Sequence, residues 1–203
     1  MHAYPPPAVT RFSAVVPVKS FGRGKRRLSS TLDSRARQAV AEAVALRTVD
    51  TIREAGGSPV VVTDRPTGWG PGVVVVADPG GGLDAAVAAG LAKVSTRLWV
   101  VCHADLPLLQ PRDVATAVEA AAEGRPVLAP SSDGGTSLVA DTRRWARFRY
   151  GPGSFHRHLS SVAHRNPVVL TRLGLLLDLD DPDDLAAVLS HPRGGWLRLA
   201  LPG

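Results

Sequence analysis

SPVVVTDRPTGWGPGVVVVADPGGGLDAAVAAGL, residues 58–91, decides the architecture. SPVVVT (58–63) and VVVVA (73–77) are unbroken runs rich in β-branched residues. A strand with one wet face alternates apolar and polar residues, whereas a continuous run expects burial on both faces, as in a parallel sheet between helix layers. The glycine-rich turn DPGGG then opens into a helix of small apolar residues.

The flanking segments repeat this strand–helix alternation. FSAVVPV (Phe12–Val18) reads as the first strand, followed by the basic loop KSFGRGKRR. Asp33 or Ser34 caps a helix running to about Arg53, with Ala41, Ala45, Val49 and Ile52 on one face, and Gly56 and Gly57 end it. RLWVVCHAD (97–105) is the fourth strand. PRDVATAVEAAAEG is a helix with Pro111 in its first turn and Gly124 past its end. RPVLAPS and TSLVA are two more strands joined by the turn SSDGG. GPGSFHRHLSSVAHR enters a short helix, VVL and GLLLDLD read as strands, and PDDLAAVLS is a final helix. The expected fold is a three-layer α/β domain with a mainly parallel mixed sheet, spanning residues 12–203 without repeat or linker. Residues 1–11, with their three prolines, read as a disordered lead-in and not as a secretory signal.

Composition narrows the function. No apolar run approaches the roughly 20 residues that span a bilayer, so no membrane partner is expected. The lone cysteine, Cys102, sits inside LWVVC, where it reads as a buried strand residue; a disulfide framework is excluded and a reducing cytoplasm fits. The six histidines show no zinc-ligand spacing. The net charge of +6 suits either a nucleic-acid surface or a pocket for small polyanions. With only 5% aromatic residues there is little to stack bases on, which favours the second.

Three chemistry-bearing features fall at carboxyl ends of predicted strands, where ligands gather on such sheets. VVPVKSFGRGKRRL joins glycines to Lys19, Arg23, Lys25, Arg26 and Arg27, the cations a triphosphate needs, although it is not a Walker A loop. VVCHADLPLL ends an apolar strand in Asp105, able to hold Mg²⁺ against a phosphate or simply to cap a turn. LLLDLDDPDDL alternates Asp178, Leu179 and Asp180, so that one carboxylate faces a site while the other faces away. Asp181, Asp183 and Asp184 suit the cap and first turn of the helix beginning near Pro182. Two anion-binding turns remain: SSDGGTSL with Thr136, and YGPGSFHRH with Gly151, Gly153 and Ser154 at a helix N-terminus. His103, His156 and His158 read as surface or packed residues.

In this order, VVPVKSFGRGKRRL, VVVVADPGGGLDAA, VVCHADLPLL, DGGTSLV, YGPGSFHRH and LDLDDPDDL resemble the CofC/FbiD guanylyltransferases of deazaflavin coenzyme (F-420) biosynthesis, over about Ser13 to Leu189. The resemblance implies a Rossmann-like nucleotidyltransferase fold. It implies transfer of GMP from GTP to phosphoenolpyruvate or 2-phospho-L-lactate, with release of pyrophosphate and Mg²⁺ as cofactor. Lys19, Lys25 and Arg27 match the family's basic signature, Asp105 and Asp178 its metal-linked positions, and Thr136, Gly151 and Ser154 its acceptor positions. Relatives often have Asn where Asp84 follows Gly82 and Leu83, and Thr where Asp181 stands. Gly82 and Asp84 are expected at the nucleotide, with Asp84 accepting from the guanine edge. PEP is favoured slightly as acceptor because the GC-rich composition suggests an actinobacterial lineage. The competing assignments are a molybdopterin or sugar-phosphate nucleotidyltransferase, a metal-dependent glycosyltransferase, and a basic nucleic-acid-binding module. The first would place a GG-rich loop after strand one, and the second a DxD on the middle strand.

Overall fold

The computed structural model describes residues 10–19 and 26–201. Its strands are β1 (Phe12–Pro17), β2 (Gly57–Thr63), β3 (Val74–Ala77), β4 (Leu98–Cys102), β5 (Val127–Pro130), β6 (Thr136–Asp141) and β7 (Val168–Val169). Its helices are α1 (Ser34–Glu54), α2 (Leu83–Leu91), α3 (Pro111–Ala122), α4 (Ser154–Val162), α5 (Leu173–Leu176) and α6 (Pro182–Ser190), with 3-10 turns at Arg26–Ser30, Ala163–Arg165 and Pro192–Ala200. The strands form one sheet in the order β3-β2-β1-β4-β6-β5-β7. β6 runs antiparallel to both neighbours, because it returns from β5 through the tight turn 131–135; the other pairings are parallel.

Side-chain alternation builds the three layers. Ala14 and Val16 of β1, with Leu98, Val100 and Cys102 of β4, face a core shared with Ala45, Val49 and Ile52 of α1 and Val114, Ala117 and Val118 of α3. Val15, Trp99 and Val101 face the opposite layer, with Ala86, Val87 and Leu91 of α2. Each fully buried valine of this kind contributes about 1.5–3 kcal/mol. The first strand, the Asp33 cap and the end of α1 follow the sequence reading: the Asp33 carboxylate accepts from the Ala36 N–H at 2.7 Å. Ala41, expected on the buried face, is only half-buried, and Val40 and Val44 take that role.

Two expectations are corrected. VVVVA forms an edge strand and not a doubly buried one: Val74 is 48% exposed and Val75 36%. GLLLDLD is not a strand. Leu173–Leu176 is a single helical turn, followed by extended backbone. Gly174 permits that turn to sit against α3, since a Cβ there would lie 2.5 Å from the Asp113 carboxylate and 2.7 Å from the Leu108 carbonyl.

The seat of α2 rests on another glycine. A Cβ on Gly90 would come within 2.4 Å of Val15 and 2.8 Å of Val62, both buried in the sheet. Gly90→Ala is expected to destabilise the protein by about 1–3 kcal/mol through overpacking, against a helix-propensity gain of about 1 kcal/mol. Thermal melting checks this, and an unchanged or higher midpoint would show that the helix lifts off the sheet without cost.

Candidate active site

The chain runs outward from β1 through β2 to β3, then returns to the other side of β1 as β4. This reversal opens a crevice beyond the carboxyl ends of β1 and β4, the usual ligand site on an open α/β sheet. Lys19 follows β1 there and is exposed; Val18, just before it, donates its N–H to the Val62 carbonyl at 2.8 Å, extending the pairing with β2. Lys25 lies outside the described residues. Arg27 is exposed on the first 3-10 turn, whose next residue, Leu28, shares a core cluster with Leu179. That packing holds the basic turn against the segment carrying Asp178.

Asp105 and Asp178, far apart in sequence, meet at this crevice. The Leu179 N–H donates to the Asp105 carbonyl at 3.0 Å, locking the two segments side by side. Asp178 is buried, and its carboxylate accepts from the Ser132 hydroxyl at 3.1 Å. Burial first, then the charge of Asp105, push the Asp178 carboxyl up to about 6. The Asp105 charge thus bears directly on the buried Asp178 carboxyl, which places two acidic groups together at the crevice. The charge of Asp180 also bears on Asp178, and Leu179 between them is the residue that enters the core. The remaining acids are structural, as read. Asp181 accepts from the Asp183 and Asp184 amides, and Asp184 accepts from the Asp180 and Asp181 amides. Cys102 is wholly buried, and burial with the nearby Asp105 charge pushes its thiol far up.

The turn 131–136 links this acidic pair to the second anion turn. Ser132 holds Asp178, the Gly134 carbonyl accepts from the Phe155 amide at 3.3 Å, and Thr136 Oγ1 lies 3.1 Å from Ser154 Oγ. Asp133 braces the turn by accepting from Ser131 and the Gly135 amide; the Ser131 hydroxyl is the main cause holding its carboxyl below the usual range. Gly151 has φ +108° and Gly153 φ +68°, left-handed conformations that glycine adopts without strain, and Ser154 begins α4 directly after them. The exposed Arg157 staples the loop, donating to the carbonyls of Arg149, Pro152 and Gly151. Thr136, Gly151 and Ser154 are thus brought together.

Gly82 caps α2 at φ +92°, with Gly80 and Gly81 also left-handed, and Asp78 folds the turn by accepting from the Gly80 amide. Asp84 is exposed in the first turn of α2, and its Oδ1 accepts from the Tyr150 amide at 2.8 Å. It therefore ties the glycine turn to the Gly151–Ser154 turn, a role its sequence position did not announce.

Sequence reasoning also missed an aromatic wall. Tyr150 stacks on Phe148 at 5.9 Å, and Phe148 on Trp145 at 5.3 Å. His158 meets Tyr150 edge-on at 4.8 Å, and its Nδ1 lies 3.0 Å from Thr136 Oγ1. Burial is the chief cause lowering His158 to about 4, so the ring is neutral at neutral pH. The signal was the aromatic spacing in RRWARFRY, too sparse to interpret without the fold.

An α/β sheet with an acidic pair at its reversal point, flanked by a glycine-rich turn and a basic strand end, defines a nucleotidyltransferase. The fold agrees. A nucleotidyl transferase from Methanothermobacter thermautotroptrophicus superposes with a TM-score of 0.59 at 20% identity, covering 93% of this chain and 98% of that one. A crystal structure from Desulfovibrio desulfuricans gives a TM-score of 0.69 at 15% identity, covering 93% and 94%. Within this class, residues 12–198 match the family described as guanylyl transferase CofC like, and the chain belongs to that family. A phosphoenolpyruvate guanylyltransferase of Rubrobacter xylanophilus is 34% identical, covering 85% of this chain and 91% of its own. A 2-phospho-L-lactate guanylyltransferase of Halomicrobium mukohataei is 33% identical, covering 94% and 90%. Among the described residues no helix is long and apolar enough to cross a membrane.

Proposed function

We propose that this chain transfers GMP from GTP to phosphoenolpyruvate, with 2-phospho-L-lactate as the other candidate acceptor, in the assembly of a deazaflavin coenzyme in the cytoplasm. The observation that carries this is the continuity of turn 131–136, which joins the Asp105–Asp178 pair to Thr136 and Ser154. A cation site and a compact anion site so joined suit a three-carbon acid carrying both a phosphate and a carboxylate. The two relatives described above act, by name, on such acids.

The acceptor's phosphate oxygen attacks the α-phosphorus of GTP. A new P–O–P bond forms as the bond to the β-phosphate oxygen breaks, and pyrophosphate leaves. The attacking phosphate is already ionised, so no strong base is needed, and catalysis is positioning and charge neutralisation. Lys19, Arg27 and, by sequence, Lys25 supply positive charge to the α-phosphate and the leaving group. Thr136, Ser154 and the amides from Gly151 onward hold the acceptor. Gly82 and its flanking amides approach the nucleotide, and the segment from Ala77 to Asp84 selects guanine.

Asp105 and Asp178 would hold Mg²⁺. Among the described residues no group of three or more His, Cys, Asp or Glu could hold a metal ion by itself. Two carboxylates still fit, since Mg²⁺ is commonly held by one or two carboxylates together with substrate phosphates. The ion would neutralise phosphate charge at the reacting centre.

Pyrophosphate release with GTP or ATP, each offered phosphoenolpyruvate, 2-phospho-L-lactate or 3-phosphoglycerate, tests the assignment. GTP with phosphoenolpyruvate is expected to be the fastest pair. Equal rates with ATP and GTP would refute base selection, and no release with either of the first two acids would refute the acceptor class.

A further inference from the structure

We propose that His158 is a positioning residue whose Nδ1–H sets the direction of a hydroxyl chain through Thr136 to Ser154, presenting the Ser154 proton to the incoming acceptor anion.

The chain begins at a group whose polarity is fixed. The Arg149 backbone N–H can only donate, and it points at His158 Nε2 at 2.9 Å. Nε2 must therefore be the unprotonated, accepting nitrogen, and a neutral ring then carries its proton on Nδ1. Nδ1 faces Thr136 Oγ1 at 3.0 Å, so the threonine hydroxyl accepts there. Thr136 Oγ1 in turn lies 3.1 Å from Ser154 Oγ. Whichever way that bond runs, one hydroxyl proton is left over at a buried position, at Thr136 (0% exposed) or at Ser154 (1% exposed). Ser154 is the one of the two at the start of α4, so with an anion held there the satisfied arrangement has Thr136 donating to Ser154 and Ser154 donating to the anion. Ser154 stands at the start of α4, after two left-handed glycines, where helix amides also favour an anion.

An imidazolium could not accept the Arg149 N–H, so the chain needs a neutral ring. Its surroundings keep it so. Burial among Trp145, Phe148 and Tyr150 is the main cause and prevails over the Asp84 charge, which favours a positive ring; Arg157 and His103 add to the opposition. Histidine in water prefers its proton on Nε2, so the Nδ1–H form is a specific mark of this arrangement.

The inference rests on Ser154 facing the acceptor, and the experiment separates the two. In the unmodified protein at pH 7, two-bond ¹H–¹⁵N correlation spectra are expected to show His158 neutral with its proton on Nδ1. An Nε2–H tautomer or an imidazolium would overturn the proposal, whatever the enzyme does. In steady-state kinetics with GTP and phosphoenolpyruvate, His158→Gln keeps an acceptor for Arg149 but no donor at the Nδ1 position. It is expected to raise the KM for phosphoenolpyruvate about tenfold, with the KM for GTP unchanged. His158→Asn keeps a donor at the Nδ1 position and is expected to stay within about threefold of the parent. Equal effects of the two substitutions, or equal rises in both Michaelis constants, would overturn the proposal in favour of a purely structural histidine. If the parent protein uses no phosphorylated acid, the functional assignment has failed, and the tautomer alone decides this point.

Discussion

Asp105→Asn is expected to lower turnover by about 10²-fold or more while leaving the fold intact. That is the scale on which loss of one preorganised charge-stabilising group acts in a water-excluded site. The substitution preserves shape and does not touch the main chain, so the Leu179 N–H keeps its bond to the residue 105 carbonyl. What changes is charge. The parent protein holds Asp105 beside a buried Asp178 whose carboxyl is pushed up to about 6, first by burial and then by Asp105 itself. That repulsion opposes folding at neutral pH and would be relieved by a divalent cation held at the pair. Asparagine removes it without any cation. The parent is expected to melt higher with Mg²⁺, and the variant to melt no lower than the parent in its absence and to show no such rise. Pyrophosphate release across an Mg²⁺ titration, with melting curves at each concentration, checks both. Near-normal Mg²⁺-dependent turnover in the variant would remove Asp105 from the site.

Much of this site was legible because its residues fall at strand ends, and strands buried on both faces are conspicuous. LWVVC read as an apolar strand and forms β4, so Asp105 stands just beyond its carboxyl end. The caps were legible for the same local reasons: Asp33, Pro111, Asp181 and Pro182 behave as their positions predict. A run of valines, however, does not say whether a strand is central or at an edge, and β3 is an edge. Nor does a short leucine run distinguish a strand from one helical turn. Gly174 and its contact with α3 settle that choice, and such a contact is tertiary. The 3-10 turn Pro192–Ala200 was missed because Trp196 and Leu197 show no simple period. His158 was read as a surface or packed residue; its partners come from β6 and from the 149 backbone, which only the fold brings to it.

The basic excess also needs redistribution. The sequence suggested that it serves two anionic substrates. Several arginines instead bond to the protein itself. Arg144 donates to the Leu91 and Val94 carbonyls, Arg157 to the loop 149–152, and Arg165 to Asp141. Two surface depressions of about 550 and 850 Å³ lie along residues 143–149, and neither is lined by Asp105 or Asp178. The acidic pair, placed at the sheet's reversal point with Asp178 bonded to the 131–136 turn, is the stronger guide to the chemistry than the size of a depression.

Asp141→Asn is expected to cost about 3–5 kcal/mol of stability, the range for breaking a buried ion pair by removing one partner. Asp141 is fully buried at the far end of β6, opposite Trp99. Its Oδ2 and Oδ1 accept from Arg165 at 2.6 and 2.7 Å. The Trp145 indole N–H and the amides of Thr142 and Arg143 complete its shell. Burial works against the charged form, but Arg165, Trp145 and the Arg143 amide outweigh it and hold the carboxyl below its ordinary value. A depressed folded value means that the stabilisation is fully present above the unfolded value of about 3.9 and is lost as pH falls through the folded one. The gap in melting temperature between parent and variant is therefore expected to stay flat from about pH 5 to 8, on the order of 10 °C for a chain of this length, and to close in acid. Asparagine leaves Arg165 charged with only 12% of its side chain exposed, and that stranded charge is the main source of the loss. Pairing Asp141→Asn with Arg165→Met should consequently recover much of it. Because β6 carries Thr136 at one end and Asp141 at the other, the Michaelis constants of the surviving folded enzyme should not move. A melting temperature within about 2 °C of the parent at pH 7 would mean that the pair contributes nothing to stability.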